Sequence, residues 1–393
     1  MLTNRVKGVE YAIREIAAVA QEVAKSGKTV YHLNIGDPVT YDFQTPKFIS
    51  DALSTYSLKG KNFYANSLGV IELREEISKL LKGQNLNVST EEIVVTSGVT
   101  EGINFIISSL IENGKELLIP GPSYPLYINY TKFYDGKPVE YELDEQQDWE
   151  PDIEDLRKKI TKKTQAILIC SPNNPTGVLY GEKKIKEIID LAGEYNLPIL
   201  SDEIYDQITY DKPYVCPASL AKDGPIIGLN GFSKTHLVTG WRLGYLYYHD
   251  PENKLEELKN GIAKLARARL SASSIAQYAA IDILKTPSSH TVDMVRKLKE
   301  RRDYSYDRLR KIEGITCVKP NGAFYLFPKL DLKELKKWKD DKELVVDLLK
   351  ETGVCLVYGS GFGEYGKGHM RLTFLPEKKL LEKVYNLIEE FLK

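Results

Sequence analysis

Lys234 in FSKT, Asp202 and Tyr205 in SDEIY, and Asn174 in SPNNPTG are the residues around which a chemical site could form. A lysine amine attacks carbonyl carbon once it is uncharged. A carboxylate stabilises a nearby cation, and a phenol and an amide place hydrogen bonds. Ser233 precedes the lysine, and Arg242 follows it by eight residues in GWRLG. Upstream, the small residues of TSGVTEG, with Gly98, Val99 and Thr100 at their centre, open a helical stretch whose first N–H groups suit a phosphate. Singly, each has an ordinary explanation: a strand-end Asp caps a helix, a loop Asn makes an Asx turn, a lysine is solvated surface. Together they provide for a phosphorylated aromatic aldehyde, the demand that pyridoxal phosphate makes.

These residues need a scaffold that delivers them to one edge. Short β-branched runs recur between amphipathic stretches: EEIVVTSG, ELLIPGPSY, TQAILICSP, LPILSDEIY, PIIGLNGFSK and RLGYLYYHD. INFIISSLIEN and GEKKIKEIIDLAGEYN carry apolar residues at helical spacing between them. Such alternation predicts an α/β fold with a mostly parallel sheet, which binds ligands beyond the carboxyl ends of its strands. From about residue 276 the pattern becomes a long charged helix through VRKLKERRDYSYDRLRKI, short strands in GAFYLFPKL and GVCLVYG, and a closing helix from about Lys378. We therefore expect a large α/β domain over 46–275 and a smaller α+β domain built from 1–45 and 276–393. The charge run KELKKWKDDKELVVDLLK reads as the wet face of one amphipathic helix.

Composition narrows the functions. The chain has 393 residues, 42% hydrophobic and 28% charged, which is ordinary for a globular protein with large cores. Its 54 basic against 55 acidic residues leave a net charge of -1, so no electrostatic excess draws nucleic acid. No run of about 18 apolar residues suggests a membrane span, and charged residues interrupt the N-terminus where a signal peptide would need apolar ones. Cys170, Cys216, Cys317 and Cys355 are far apart and suit free thiols in a reducing, cytoplasmic setting. The five histidines show no metal-ligand spacing, so no metal is expected. Gly361, Gly363 and Gly366 spell GxGxxG, but no βαβ unit follows, so a dinucleotide site is set aside in favour of a flexible glycine loop.

The ordered motifs LNIGDP (Leu33 to Pro38), YxxxxGxxxLR (Tyr64 to Arg74), PGPSYP, SPNNPTG, SDEIY, FSKTHLVTGWRLG, GAFYLFP and Arg371 resemble the class I aminotransferases of the fold-type I pyridoxal-phosphate enzymes, across nearly the whole chain. The resemblance implies that Lys234 joins the cofactor covalently and then shuttles a proton. It implies that Asp202 holds the pyridine nitrogen protonated, and that Tyr205 and Asn174 bond the ring's phenolic oxygen. Tyr124 would stack on the ring. Gly98, Val99, Thr100, Ser233 and Arg242 would hold the phosphate, Ser97 being less decisive. Arg371 would grip the substrate α-carboxylate, oriented with help from Gly36 and Asn174. Tyr64 would reach the cofactor phosphate of a neighbouring subunit, which implies a homodimer with composite sites.

Phrases such as VEYAIR, FYANSLGVIELR and GSGFGEYGKGHMR are most similar to archaeal alanine aminotransferase-type members of the Iγ group. The expected reaction is L-alanine plus 2-oxoglutarate giving pyruvate plus L-glutamate. The alternative is a broad-specificity aspartate or aromatic aminotransferase; decarboxylation, β-elimination and ring closure are known on the same fold. An aminotransferase-like transcriptional regulator would need a basic helix-turn-helix head, whereas LNIGDP already begins at Leu33. Arg269, in Arg267-Ala268-Arg269-Leu270, is a candidate for the distal carboxylate of glutamate, within a subunit or across to its partner, and a structural ion pair is its plain alternative. Alanine-type members usually continue Arg-Leu with Cys-Pro, where this chain has Ser271-Ala272-Ser273-Ser274.

Overall fold

The computed structural model describes residues 1–393 apart from 288 and 336. Eight strands make the central sheet: β1 (Ile93–Thr96), β2 (Glu116–Gly121), β3 (Lys137–Asp144), β4 (Glu150–Pro151), β5 (Thr164–Cys170), β6 (Ile199–Asp202), β7 (Ile226–Gly231) and β8 (Gly244–His249). Their spatial order is β1-β8-β7-β6-β5-β2-β3-β4. Pairing is parallel from β7 through β6, β5 and β2 to β3, while β8 is antiparallel to both β7 and β1. Two reversals return β1 to the direction of β7, so only β8 and the short β4 run against the rest. The carboxyl ends of β1, β2, β5, β6 and β7 consequently share one edge.

Both faces of this sheet are covered. Alternate residues of β5 divide between two cores: Ala166, Leu168 and Cys170 face one, Ile167 and Ile169 the other. The first core is completed by Ile103, Ile106 and Ile107 of helix α2 (Val99–Leu110), whose three-and-four spacing makes one apolar face. The second is completed by Ile185, Ile188 and Leu191 of α4 (Glu182–Glu194). Truncating a strand residue such as Leu168 to Ala should cost about 2–5 kcal/mol. The charged run KPVEYELD forms β3, which the sequence reading does not pick out. It lies one strand in from the edge and keeps only Tyr141 and Leu143 fully buried, so its apolar content is low.

Small strand pairs organise the rest. Tyr31–His32 runs parallel to Val354–Cys355, and Tyr325–Leu326 and Val357–Tyr358 flank Met370–Thr373 on opposite sides. Helix α1 (Ala12–Lys25) packs on α6 (Asp341–Thr352), while α5 (Ser289–Leu309) packs on α7 (Lys378–Leu392). Helix Ser274–Lys285 crosses residue 275 and packs against helices Lys47–Leu58 and Ile71–Gly83. No described helix is long and apolar enough to cross a membrane.

Two expectations are corrected. The charge run at 333–350, part of which lies outside the described residues at 336, is not one helix: α6 begins only at Asp341, where the Asp340 side chain accepts from Glu343 N–H at 2.8 Å. Asp340 prefers capping to the helix interior, which splits the run. The glycine loop is packed rather than open. A Cβ on Gly361 would stand 2.2 Å from Ala12, on Gly363 2.2 Å from Glu140, and on Gly366 2.0 Å from the Gly359 carbonyl. Its three glycines permit close approach of Ala12, Glu140 and the loop's own Gly359.

Candidate active site

The shared strand edge opens into a cavity of about 540 Å³. Lys234 reaches it from the turn after β7, with Nζ donating to the Gly36 carbonyl at 2.6 Å. Burial is the main cause that lowers its pKa to about 8; Arg242 and Arg371 push the same way, while Asp37 and Asp202 oppose them. A sizeable fraction is therefore an uncharged amine near neutral pH, as a nucleophile or base requires.

Asp202 closes β6 and is buried. Its Oδ2 accepts from Tyr127 Oη at 2.6 Å and its Oδ1 from Ile204 N–H at 3.2 Å. Burial lifts its pKa to about 6 against the lowering influence of those two bonds and of Lys234. Tyr205 is bonded hydroxyl to hydroxyl with Tyr325 at 2.8 Å, and Tyr124 likewise with Tyr11 at 2.6 Å. After β5 the two asparagines divide their work. Asn173 Oδ1 accepts from Thr176 N–H and Oγ1 to close the turn, and Asn174 is left to line the cavity.

At one end of the cavity, the start of α2 meets Arg242. Gly98 has φ of 80°, and a Cβ there would lie 2.8 Å from Arg242 Nη2, so a side chain would fill a cradle between backbone and guanidinium. Ser97 N–H is spent on Glu101 Oε2 at 2.7 Å and Glu101 N–H on the Gly98 carbonyl, while Val99, Thr100 and Ser233 line the cavity. Helix start, serine and arginine make a donor set suited to a phosphate. Elsewhere in the cavity Arg371, 1% exposed, meets neutral partners: Nη1 donates to Asn174 Oδ1 at 3.1 Å and Nη2 to the Asn34 carbonyl. Its plane lies over the rings of Tyr325 and Phe362, at 4.7 and 4.9 Å. Arg371 Nε and Asn34 Nδ2 are buried donors without an acceptor. A buried cation with spare donors fits an anionic ligand group.

The sequence pattern described as aminotransferase class I and II matches residues 28–387. The chain belongs to this family. A probable aspartate aminotransferase of Methanocaldococcus jannaschii is 39% identical over 99% of each chain. A glutamate-pyruvate aminotransferase of Haemophilus influenzae is 35% identical over 99% of this chain and 97% of its own. Among solved structures, an alanine aminotransferase from Pyrococcus furiosus superposes with a TM-score of 0.97 at 48% identity, covering 100% of this chain and 99% of that one.

Within the aminotransferase, the structure gathers Gly36, Val99, Thr100, Tyr124, Asn174, Asp202, Tyr205, Ser233, Lys234, Arg242 and Arg371 around one cavity, with Gly98 directly behind Arg242. A Cβ on Gly36 would stand 2.1 Å from Tyr325 Oη, so glycine here admits that hydroxyl. Two expected residues stand elsewhere. Tyr64 is 80% exposed on the surface. Arg269 lies outside the cavity lining, paired with Glu101 at 3.0 Å and donating to the Ser67 and Val95 carbonyls. In Ser271-Ala272-Ser273-Ser274, Ser273 caps the following helix and Ser274 Oγ donates to the Lys61 carbonyl. Tyr11, Arg14, Asp37, Tyr127 and Tyr325 also line the cavity, and the sequence reading misses them. Tyr127 had a signal: it follows Tyr124 by three residues, on the same side of helix α3 (Pro125–Phe133).

Proposed function

We propose that this aminotransferase uses pyridoxal phosphate to move an amino group between L-alanine and 2-oxoglutarate, giving pyruvate and L-glutamate, and that it works as a homodimer. The observation that carries the reading is a cavity holding Lys234 and two further cations beyond the phosphate cradle, Arg371 and Arg14. Arg371 suits the α-carboxylate common to every substrate, with paired parallel bonds. Arg14 suits the distal carboxylate of glutamate. The carboxylate next to it, Glu15, is engaged with Tyr11 N–H, Tyr358 Oη and Lys342. Ile13, Ile35 and Ile103 line the same space and tolerate a methyl group.

Gly98, Val99, Thr100, Ser233 and Arg242 would hold the cofactor phosphate, Tyr124 would cover its ring, and Asp202 would face the ring nitrogen. When bound, pyridoxal phosphate supplies an aldehyde that accepts the amino group and a ring that draws electrons from the substrate. The buried Asp202 carboxylate would keep the ring nitrogen protonated through a charge-assisted contact. Tyr205 and Asn174 would donate to the ring oxygen. The Lys234 amine, uncharged in part near neutral pH, accepts the proton from the substrate α-carbon on Nζ and returns it. Arg371 and Asn174 would orient the substrate carboxylate and with it the bond to that proton.

Tyr64, Phe63 and Leu58 expose apolar surface on neighbouring turns, which supports burial against a second copy with Tyr64 reaching its phosphate site. Residues 1–45 and 276–393 are proposed as the smaller unit carrying Arg371, tied together by the pair Tyr31–His32 and Val354–Cys355. The test is the absorption spectrum of the cofactor-loaded protein before and after L-alanine alone, with L-aspartate, L-phenylalanine and L-serine as parallels. Conversion by alanine with equimolar pyruvate is the expected result. Conversion by aspartate without alanine would overturn the alanine preference and leave the transamination.

A further inference from the structure

Helix α3 carries one buried amide with no part in the chemistry above. Asn129 is 6% exposed, yet its side chain does not serve its own helix. Nδ2 donates to the Glu10 carbonyl at 2.6 Å, and Oδ1 accepts from Glu10 N–H at 3.3 Å. One side chain thus pairs with both main-chain groups of a residue 119 positions away, as an adjacent strand would. The other ties from this N-terminal segment to α3 and the turn after it differ in kind. Arg5 and Asp135 meet at 2.6 Å but both are exposed, a contact worth little in water. Tyr11 and Tyr124 meet hydroxyl to hydroxyl inside the cavity itself.

Glu10 stands just before α1, and the residues that follow it enter the cavity: Tyr11, Ile13 and Arg14. Arg14 N–H bonds the Tyr11 carbonyl at 2.8 Å, so the first turn of α1 links the pinned residue to the backbone that carries the exposed Arg14 side chain. We propose that Asn129 is a positioning residue for substrate selection: by pinning Glu10 to α3, it fixes where Arg14 meets the distal carboxylate of a dicarboxylic substrate. This rests on the reading of Arg14 given above. The same helix places Tyr127, two residues earlier, against Asp202, so a single turn of α3 touches both the cofactor end and the Glu10 segment. A substrate with only a methyl group makes no contact that depends on Arg14 and is spared.

The holoenzyme and its Asn129→Ala and Asn129→Asp variants decide it. Aspartate keeps the volume and the acceptor but turns a lone pair toward the Glu10 carbonyl, so it separates pinning from space-filling. Both variants should raise KM for L-glutamate about tenfold relative to KM for L-alanine, the effect of losing about one buried hydrogen bond, with kcat changed far less. Hydrogen exchange should quicken at the amides of residues 9–14 and stay slow in β5 and β6. Wild-type selectivity and exchange in Asn129→Asp would overturn the proposal, as would equal KM increases for both substrates. If the wild-type enzyme turns over neither glutamate nor alanine, the functional reading has failed instead. The exchange data then still decide whether Asn129 holds the segment.

Discussion

The hydroxyl of Tyr127 donates to Oδ2 of Asp202 at 2.6 Å, and both residues are buried. Burial alone drives the Asp202 carboxyl upward, and this bond is the strongest influence holding it back. Tyr127→Phe should therefore raise the Asp202 pKa further above about 6. A lost hydrogen bond to a charged group costs about 1.5–3 kcal/mol, so kcat/KM should fall roughly ten- to a hundredfold. The acid limb of the pH–rate profile should move to higher pH; an unmoved limb would assign Tyr127 a packing role only.

Lys234 makes stability depend on pH. Its folded pKa is about 8, while an unfolded lysine titrates near about 10.4. Between these values the unfolded chain holds the extra proton, so stability of the cofactor-free protein rises as pH climbs through the window. Lys234→Met should be more stable than wild type below about pH 8, and its advantage should shrink toward about pH 10.4. Urea melts from neutral to alkaline pH measure the difference, and a constant gap would refute the burial argument.

Gly98→Ala places a methyl group where φ is 80° and Arg242 Nη2 would stand 2.8 Å away. The left-handed backbone costs about 1–2 kcal/mol, and the guanidinium must also retreat. Cofactor affinity should drop about tenfold or more, read by fluorescence titration of the cofactor-free protein. Affinity equal to wild type in a folded variant would show that Arg242 does not need the cradle.

The two substrate cations should separate cleanly. Arg371→Lys loses the planar fork and should weaken every amino acid by about a hundredfold in kcat/KM. Arg14→Ala should weaken glutamate and 2-oxoglutarate by about tenfold or more while leaving alanine within about twofold. Steady-state kinetics on both pairs decide this, and a uniform loss in Arg14→Ala would remove it from side-chain recognition.

Arg269→Ala is expected to affect alanine and glutamate equally. Its partner Glu101 holds the Ser97 N–H at the entrance to α2, so the loss belongs to the phosphate end. A selective loss of glutamate would restore Arg269 to the distal carboxylate.

Residues at strand ends were legible because the sequence announces them: an apolar run, then Asp202, or Ser233 and Lys234, at its carboxyl end. The residues that hold them were not. Gly36 meets Lys234, Tyr325 meets Tyr205, and Tyr11 meets Tyr124 from segments more than a hundred residues apart. No periodicity encodes such pairs, since only the closed fold creates them. Residues 361–366 show the reverse error, where a local glycine pattern suggests freedom and tertiary packing removes it.

The pairing of Tyr31 with Val354 imposes an order on how the protein is made. The ribosome adds Asn34 long before Arg371, which bonds its carbonyl from 337 positions further along. At about 5–20 residues per second the interval is roughly 15–65 s. The central sheet, complete by His249, can fold during that wait with its lysine in place. The nascent chain therefore has Lys234 before it has Arg371, and a chain interrupted ahead of Val354 lacks the strand that pairs with Tyr31–His32. The contacts of Arg371 with Asn34 and Asn174 thus join parts of the cavity that are made far apart in time.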